Sequence, residues 1–194
     1  MKQLKEIVRR VEVKVHSFTD DGAIPNNPEL PFLVYEGVLE LPQEDPARFC
    51  EKLFAAHRWD GAWRNGVYSF AHYHSTAHEV LAICRGRARL RFGGERGIVL
   101  DAGLGDVVVI PAGGGHQNLG SSPDFLVVGA YPSGQSWDLC YGKGGERPRV
   151  LDNIARVRLP AADPVYGRQG PLVTHWLEPV SRSAASPAES ARLR

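Results

Sequence analysis

The sequence has few cysteines and no excess of charge of either sign. Its three cysteines, Cys50, Cys84 and Cys140, lie far apart and form no CxxC pair. A sparse, odd number of cysteines argues against a disulfide framework and fits a reducing cytosol. The net charge is +1, from 23 basic and 22 acidic residues. Such a balance lacks the basic surface that nucleic acid or an anionic membrane would attract.

Long apolar runs are also missing. No segment approaches the ~20 consecutive apolar residues that a membrane-spanning helix needs. The N-terminal stretch MKQLKEIVRRVEVKV contains no apolar run of signal-peptide length. These absences predict a soluble, cytoplasmic protein that binds neither nucleic acid nor a membrane.

What the sequence does contain is glycine, proline and short apolar stretches. There are 21 glycines and 14 prolines among 194 residues, and 43% of the residues are hydrophobic. Short alternating or wholly apolar stretches between turn formers are typical of an all-β domain. Strands are predicted at residues 11–16, 32–41, 67–74, 79–85, 87–92, 107–110 and 125–131.

One segment has a helical pattern instead. Asp45 is a suitable N-cap, and Pro46 suits the first helical position. Phe49 and Leu53 then fall on one helical face. The pattern predicts one short helix near residues 45–58.

The ends of the chain lack clear periodicity. Residues 132–150 and 160–171 are rich in glycine, proline and arginine, and we expect extended segments laid over the domain. Residues 181–194 are small and polar, which predicts a weakly structured tail. A chain of this length suits one well-buried domain, which we expect at residues 1–180 around a core at 66–131.

The stretch around residues 66–86 carries the clearest chemical signal. Successive side chains of a strand point to opposite faces, so His72 and His74 would point to the same side. A turn at 75–78 would let Glu79 open the next strand and face back toward them. His78 is the weaker alternative, because it would lie in the turn.

A second stretch supplies another imidazole. The glycines at 113–115 allow a tight backbone path that would bring His116 from a different strand pair. A lone HxH is a weak signal, but three histidines and one carboxylate together suit a divalent first-row metal: Fe, Mn, Ni, Cu or Zn. An octahedral ion would keep positions open for water or substrate.

These residues resemble the cupin superfamily. The first cupin motif, G(X)5HXH(X)3–4E(X)6G, is matched at every fixed position by Gly66, His72, His74, Glu79 and Gly86. The second, G(X)5PXG(X)2H(X)3N, is matched by Gly105, Pro111, Gly113 and His116. Its final Asn is replaced by Gly120, while Asn118 comes two residues early. That Asn is not a metal ligand in cupins.

A wider part of the chain resembles the YjlB-type cupins, an uncharacterised bacterial subfamily. The resemblance is carried by the strings DDGAIPNNPELP, WRNGVYSFAHYHSTAHEV, GDVVVIPAGGGHQNLG, VVGAYPSGQSWDLC and GERP. It implies a single cupin barrel, that is, a double-stranded β-helix or jelly roll with family-specific N- and C-terminal extensions. It also implies a homodimer, with the strand at 11–15 as the candidate for exchange between subunits.

The resemblance and the ligand set together suggest a metal-binding protein. The first hypothesis is a metal-dependent enzyme, a dioxygenase-like oxidoreductase acting on a small organic molecule inside the barrel. Its alternatives are a metal-dependent isomerase or decarboxylase, and a non-catalytic cupin that binds a small molecule. No organic cofactor is expected, and the sequence names no catalytic acid or base.

Overall fold

Residues 4–178, which this computed structural model describes, form mainly β-structure. The strands are β1 (Val13–His16), β2 (Phe32–Tyr35), β3 (Trp59–Asn65), β4 (Glu79–Arg85), β5 (Arg87–Phe92), β6 (Ile98–Gly103), β7 (Val107–Ile110), β8 (His116–Ser121) and β9 (Leu126–Pro132). The α-helices are α1 (Pro46–Ala56) and α2 (Arg149–Arg156), with a 3-10 turn at Leu4–Glu6 and a π-helical turn at Val173–Leu177. Within this range, none of the helices has the length and apolar composition that crossing a bilayer requires.

The strands form two antiparallel sheets that pack face to face. The larger sheet has the order β1-β2-β7-β4-β9-β3, and the smaller one β6-β5-β8. One hydrophobic cluster joins the two sheets: Leu81 and Ile83 of β4 pack with Leu90 and Phe92 of β5. The space between the sheets is therefore one of the two main parts of the core.

The larger sheet is also covered on its other face. Val80 and Cys84 of β4 point away from the smaller sheet and pack with Phe54 of α1 and with Trp176 near the C-terminal end of the described chain. Burial on both faces explains why β4 and β7 are apolar at nearly every position. It also fixes which β4 residues face the smaller sheet: the odd-numbered ones, Glu79 among them.

Several predicted elements are confirmed. The strands predicted at 79–85, 87–92 and 107–110 have the predicted bounds, and the arginines of β5 alternate with buried apolar residues. The predicted helix is α1, and its N-cap Asp45 accepts a hydrogen bond from the Arg48 backbone N–H. The predicted strand at 11–16 exists as β1 and pairs with β2 of the same chain, while the homodimer stays a prediction.

The strand predicted at 67–74 is wrong. The chain instead forms β3 just before it, which pairs with β9 at the edge of the larger sheet. After Asn65 the chain leaves that sheet and crosses to the smaller one, where His72 makes an isolated bridge with His116. The apolar and aromatic residues of this segment have a strand-like pattern. The residues beside the bridge at His72 nevertheless form no continuous ladder of hydrogen bonds with a neighbouring strand.

The C-terminal predictions are partly confirmed. Residues 133–148 and 160–170 are largely irregular and cover the sheets, as expected, but Arg149 and Val150 begin α2 rather than ending an extended segment. The predicted tail at 181–194 lies outside the described residues. The single domain spanning residues 1–180 stays a prediction.

The cysteines form no disulfide, in agreement with the sequence. All three are free and buried. Cys50 and Cys84, distant in the chain, nevertheless place their sulfur atoms 3.3 Å apart between α1 and β4. The hydrogen-bonded contact with the Cys84 sulfur, together with burial, raises the pKa of Cys50 well above its usual value. Both thiols therefore act as core residues.

One buried carboxylate ties the C-terminal segment to the larger sheet. Asp163 is 0% exposed. It accepts hydrogen bonds from the Tyr35 hydroxyl (2.7 Å) and from the backbone N–H groups of Val165 (2.8 Å), Tyr166 (2.9 Å) and Leu172 (3.0 Å). Four donors on one carboxylate compensate for its burial.

We predict that Asp163→Ala lowers the free energy of unfolding by about 3 kcal/mol or more, because it leaves buried donors without an acceptor. Urea unfolding followed by circular dichroism measures the change. Asp101→Ala is the matched control, since its side chain is 86% exposed and surface changes stay within about 0.5 kcal/mol. Equal unfolding midpoints for the two variants would contradict the structural role of Asp163.

Candidate metal centre

Three of the four predicted ligands form a cluster. One ring nitrogen from each of His72, His74 and His116 lies within 4.8 Å of the other two, and all three residues are buried. His72 and His116 exchange backbone hydrogen bonds of 3.2 and 2.9 Å, which brings their ring centroids to 4.0 Å. His74 lies on the same side of the chain as His72, as strand parity predicted, although no regular strand is present here.

The backbone fixes which nitrogen of each ring faces the cluster. The Nδ1 atoms of His72 and His116 each lie 3.1 Å from the carbonyl oxygen two residues earlier, and that of His74 contacts the Asp138 carbonyl. A carbonyl oxygen can only accept, so each Nδ1 carries the hydrogen. In the neutral rings, every Nε2 therefore has a free lone pair, as a metal ligand requires.

Glu79 completes the group from β4. Its Oε2 atom lies 3.4 Å from His74 Nε2 and 3.2 Å from His116 Nε2, and the residue is 2% exposed. With the rings in the tautomers above, this oxygen has no hydrogen-bond donor. A buried anion facing two lone pairs is unfavourable unless a cation lies among them. The donor set therefore fits a divalent metal ion.

The electrostatics of the group agree with this assignment. Burial lowers the pKa of His72 to about 3. Burial opposes the charged form of Glu79 as well, but in metal-free protein the attraction and hydrogen bonding of the protonated forms of His74 and His116 outweigh it and hold the Glu79 pKa below its usual range. At neutral pH the site therefore offers a neutral imidazole at His72 and an ionised carboxylate at Glu79, the forms that bind a metal.

The turn between His74 and Glu79 is held by a residue from far along the chain. The Asp138 carboxylate accepts from the Ser75 backbone N–H (2.6 Å), from the Ser75 hydroxyl (2.5 Å) and from the Thr76 backbone N–H (3.3 Å). Its own carbonyl orients His74. Asp138 was missed by sequence reasoning, because it is 64 residues from His74 in a segment with no periodicity.

His78, the weaker alternative ligand, belongs to the core instead. It is 1% exposed, it accepts a hydrogen bond from the Ala112 backbone N–H (2.9 Å), and its ring lies 4.9 Å from that of Trp176. Burial lowers the pKa of His78 to about 3. It is not part of the histidine cluster.

The cluster forms one wall of a cavity of about 310 Å³. Apart from the four candidate ligands, the cavity is lined by Gly61, Trp63, Arg64, Asn65, Gly66, Val67, Tyr68, Leu81, Tyr131 and Trp137. The aromatic lining residues Tyr131 and Trp137 were not identified from the sequence, since they come from β9 and from the irregular segment after it. A molecule in this cavity would contact the candidate ligands directly.

A comparison with curated proteins gives one clear relative. The chain is 42% identical over 167 residues to the uncharacterised protein YjlB of Bacillus subtilis strain 168, and the alignment covers 86% of this chain and 98% of that protein. The chain belongs to the YjlB family. No family model matches this YjlB-family chain.

The matches among solved structures are more distant. Tomato vicilin matches at 16% identity and a TM-score of 0.36, covering 61% of this chain and 31% of that one. Acireductone dioxygenase from Bacillus anthracis, with a cadmium ion in its active centre, matches at 14% identity and a TM-score of 0.39. The match covers 66% of this chain and 83% of that one. A Klebsiella pneumoniae protein with a double-stranded β-helix domain matches at 17% identity and a TM-score of 0.31. The match covers 73% of this chain and 91% of that one.

The YjlB-family chain thus spans about a third of the vicilin chain and most of the other two. At these identities and TM-scores, the matches carry no information about its chemistry. The predicted all-β fold class is confirmed: two antiparallel sheets face each other, and the described residues contain few helices.

We predict that Asp138→Ala lowers the affinity for Zn²⁺ about 10- to 100-fold, the usual cost of losing a residue that orients metal ligands. The physical reason is that the turn before Glu79 loses three hydrogen bonds while the four ligands remain. Competition with a fluorescent chelator measures the affinity. Asp101→Ala serves as the control, and equal affinities for both variants would contradict the positioning role.

The titration of His74 supplies a second prediction. Burial lowers the pKa of His74, but the Glu79 carboxylate outweighs it and raises that pKa above 6.5. In metal-free protein, the His74 ring is therefore protonated at pH values below its raised pKa and loses that proton as the pH rises through it. Glu79→Gln removes the carboxylate, so the NMR titration midpoint of His74 should fall. An unchanged midpoint would contradict the contact between the two side chains.

Proposed function

We propose that this YjlB-family protein is a metal-dependent enzyme, a dioxygenase-like oxidoreductase that acts on a small organic molecule in the cavity. His72, His74, Glu79 and His116 would hold one divalent ion. The observation that supports this most strongly is the buried Glu79 carboxylate facing the lone pairs of two imidazoles. The ligands also line an open cavity rather than lying in a closed core.

The donor set suits Fe, Mn, Ni, Cu or Zn. When bound, a redox-active metal supplies electron transfer to dioxygen, and a redox-inactive one supplies Lewis-acid polarisation of a carbonyl. The protein supplies orientation: carbonyl oxygens fix the three rings, and burial of all four ligands keeps bulk water from competing with substrate.

The cavity wall also carries a neutral hydroxyl. The Trp63 indole N–H donates to the Tyr131 hydroxyl oxygen at 2.9 Å, which leaves the hydrogen of that hydroxyl for another acceptor. Burial, together with the nearby Glu79 carboxylate, raises the pKa of Tyr131, so the hydroxyl stays protonated. Tyr131 can therefore donate a hydrogen bond to Glu79 or to a bound molecule.

This hydroxyl favours a second candidate function, a metal-dependent isomerase or decarboxylase. Both reactions need a proton to be held or delivered beside a polarised carbonyl. Tyr131 lines the cavity and can do so without acting as a metal ligand.

The metal site is tested by elemental analysis of protein purified without added metal. We predict that His72→Ala reduces the bound metal at least about tenfold, since it removes one of the four ligands. His175→Ala is the matched control, because His175 lies outside the cluster. Equal metal content in wild-type protein and His72→Ala would rule out the site.

The two reactions are separated by oxygen uptake. Protein loaded with Fe²⁺ or Zn²⁺ is incubated with a panel of small aromatic and carbonyl compounds in an oxygen electrode. Dioxygen consumption in the presence of a compound, with Fe²⁺ but not with Zn²⁺, supports the oxidoreductase. Conversion of a carbonyl compound with either metal, and without oxygen uptake, supports the isomerase or decarboxylase.

A further inference from the structure

The candidate metal ligands are flanked by aromatic rings on two sides. The Tyr68 ring packs edge-on against His72, with centroids 5.1 Å apart, and Trp137 packs edge-on against His74 at 5.4 Å. The rings of His72 and His74 are themselves 5.8 Å apart. Tyr68 therefore contacts the cluster at His72 and Trp137 contacts it at His74, and both line the cavity.

The side next to His74 is a continuous aromatic layer. Trp137 stacks on Tyr131 with ring centroids 6.1 Å apart and an interplanar angle of 22°. Tyr131 is held in place by the hydrogen bond from Trp63. Both rings line the cavity, so this layer places aromatic surface beside whatever enters it, and aromatic pairs gain more than their buried area alone provides.

Among the described residues, none that lines the cavity is an uncommitted positive side chain. Arg64 is the one arginine or lysine among its lining residues. Its guanidinium donates to Glu51 at 2.6 and 2.8 Å and to Asp45 at 2.9 Å. A carboxylate or phosphate bound away from the metal would therefore lack a free cationic side chain to compensate its charge, at a large desolvation cost.

Further aromatic rings lie next to Tyr68 and are exposed. Tyr68 (46% exposed) stacks on Phe70 (41%) at 4.8 Å, and Phe70 lies 5.5 Å from Tyr141 (42%). Trp137 is 48% exposed. Large rings exposed next to one another commonly mark a binding site for an apolar molecule.

From these observations we infer that the substrate carries an uncharged aromatic ring, which binds between Tyr68 and Trp137 while its polar substituent reaches the metal ligands. A cavity of about 310 Å³ accommodates one substituted ring. This inference rests on the proposed function for the role of the metal, but the ring site itself is formed by residues that do not bind metal.

The test compares two probes that differ in the ring alone, benzyl alcohol and cyclohexylmethanol. Their dissociation constants are measured by calorimetry with zinc-loaded and with metal-free protein. We expect benzyl alcohol to bind about 5- to 10-fold more tightly in both forms, the preference that aromatic stacking supplies. Equal affinities, or tighter binding of the saturated alcohol, would overturn the inference.

Variants show which residues produce the preference for the aromatic ring. Tyr68→Leu and Trp137→Leu should each reduce the aromatic preference to less than about twofold, whereas Trp137→Phe keeps a ring and should retain most of it. Leu104→Ala is the control, because Leu104 is 58% exposed in the turn before β7. Full preference in both leucine variants would place the ring elsewhere and contradict the inference.

A charged probe tests the absence of a free cation. Benzoate should bind metal-free protein no more tightly than benzyl alcohol, and tighter binding would overturn an uncharged ring. Metal content is measured for every sample. Retention of metal by His72→Ala would contradict the proposed metal site but not the ring site. The preference for the aromatic ring is measured independently in metal-free protein.

Discussion

The buried carboxylate of Glu79 is the constraint around which the rest of the structure is arranged. An anion that is 2% exposed must be matched by positive charge close by. It lies at the first position of β4, on the face that meets the smaller sheet, where β8 contributes His116. The two sheets thus join at a point where a bound cation would stabilise both, so the candidate metal centre is also a structural junction.

The ligands can stay in place because the surroundings are fixed from both sides. Carbonyl oxygens hold the imidazoles, and the Asp138 carboxylate holds the turn that separates His74 from Glu79. On the far face of the larger sheet, α1 and the segment tied down by Asp163 bury the remaining apolar side chains of β4. A strand packed on both faces is a rigid support for a site at its end.

The cavity has two kinds of surface, the candidate metal ligands and the aromatic rings beside them. The histidines and Glu79 lie on one wall and would supply the chemistry through a metal. Tyr68 and Trp137 flank them and would recognise the shape of the substrate. Arg64, the positive side chain in the lining, is neutralised by two carboxylates on the protein surface. Charge is thus concentrated at the ligands and is nearly absent from the recognition surface.

The sequence by itself determined the features that depend on short-range periodicity. It predicted β4, β5, β7 and α1, the common direction of His72 and His74, and the turn that lets Glu79 face them. Only the tertiary structure decided which distant segments meet: β3 with β9, Asp138 with the turn, and Trp137 with His74. Strand and helix repeats are set by neighbouring residues, whereas these contacts join segments tens of residues apart. Their partners are selected by packing, which leaves no pattern in either segment alone.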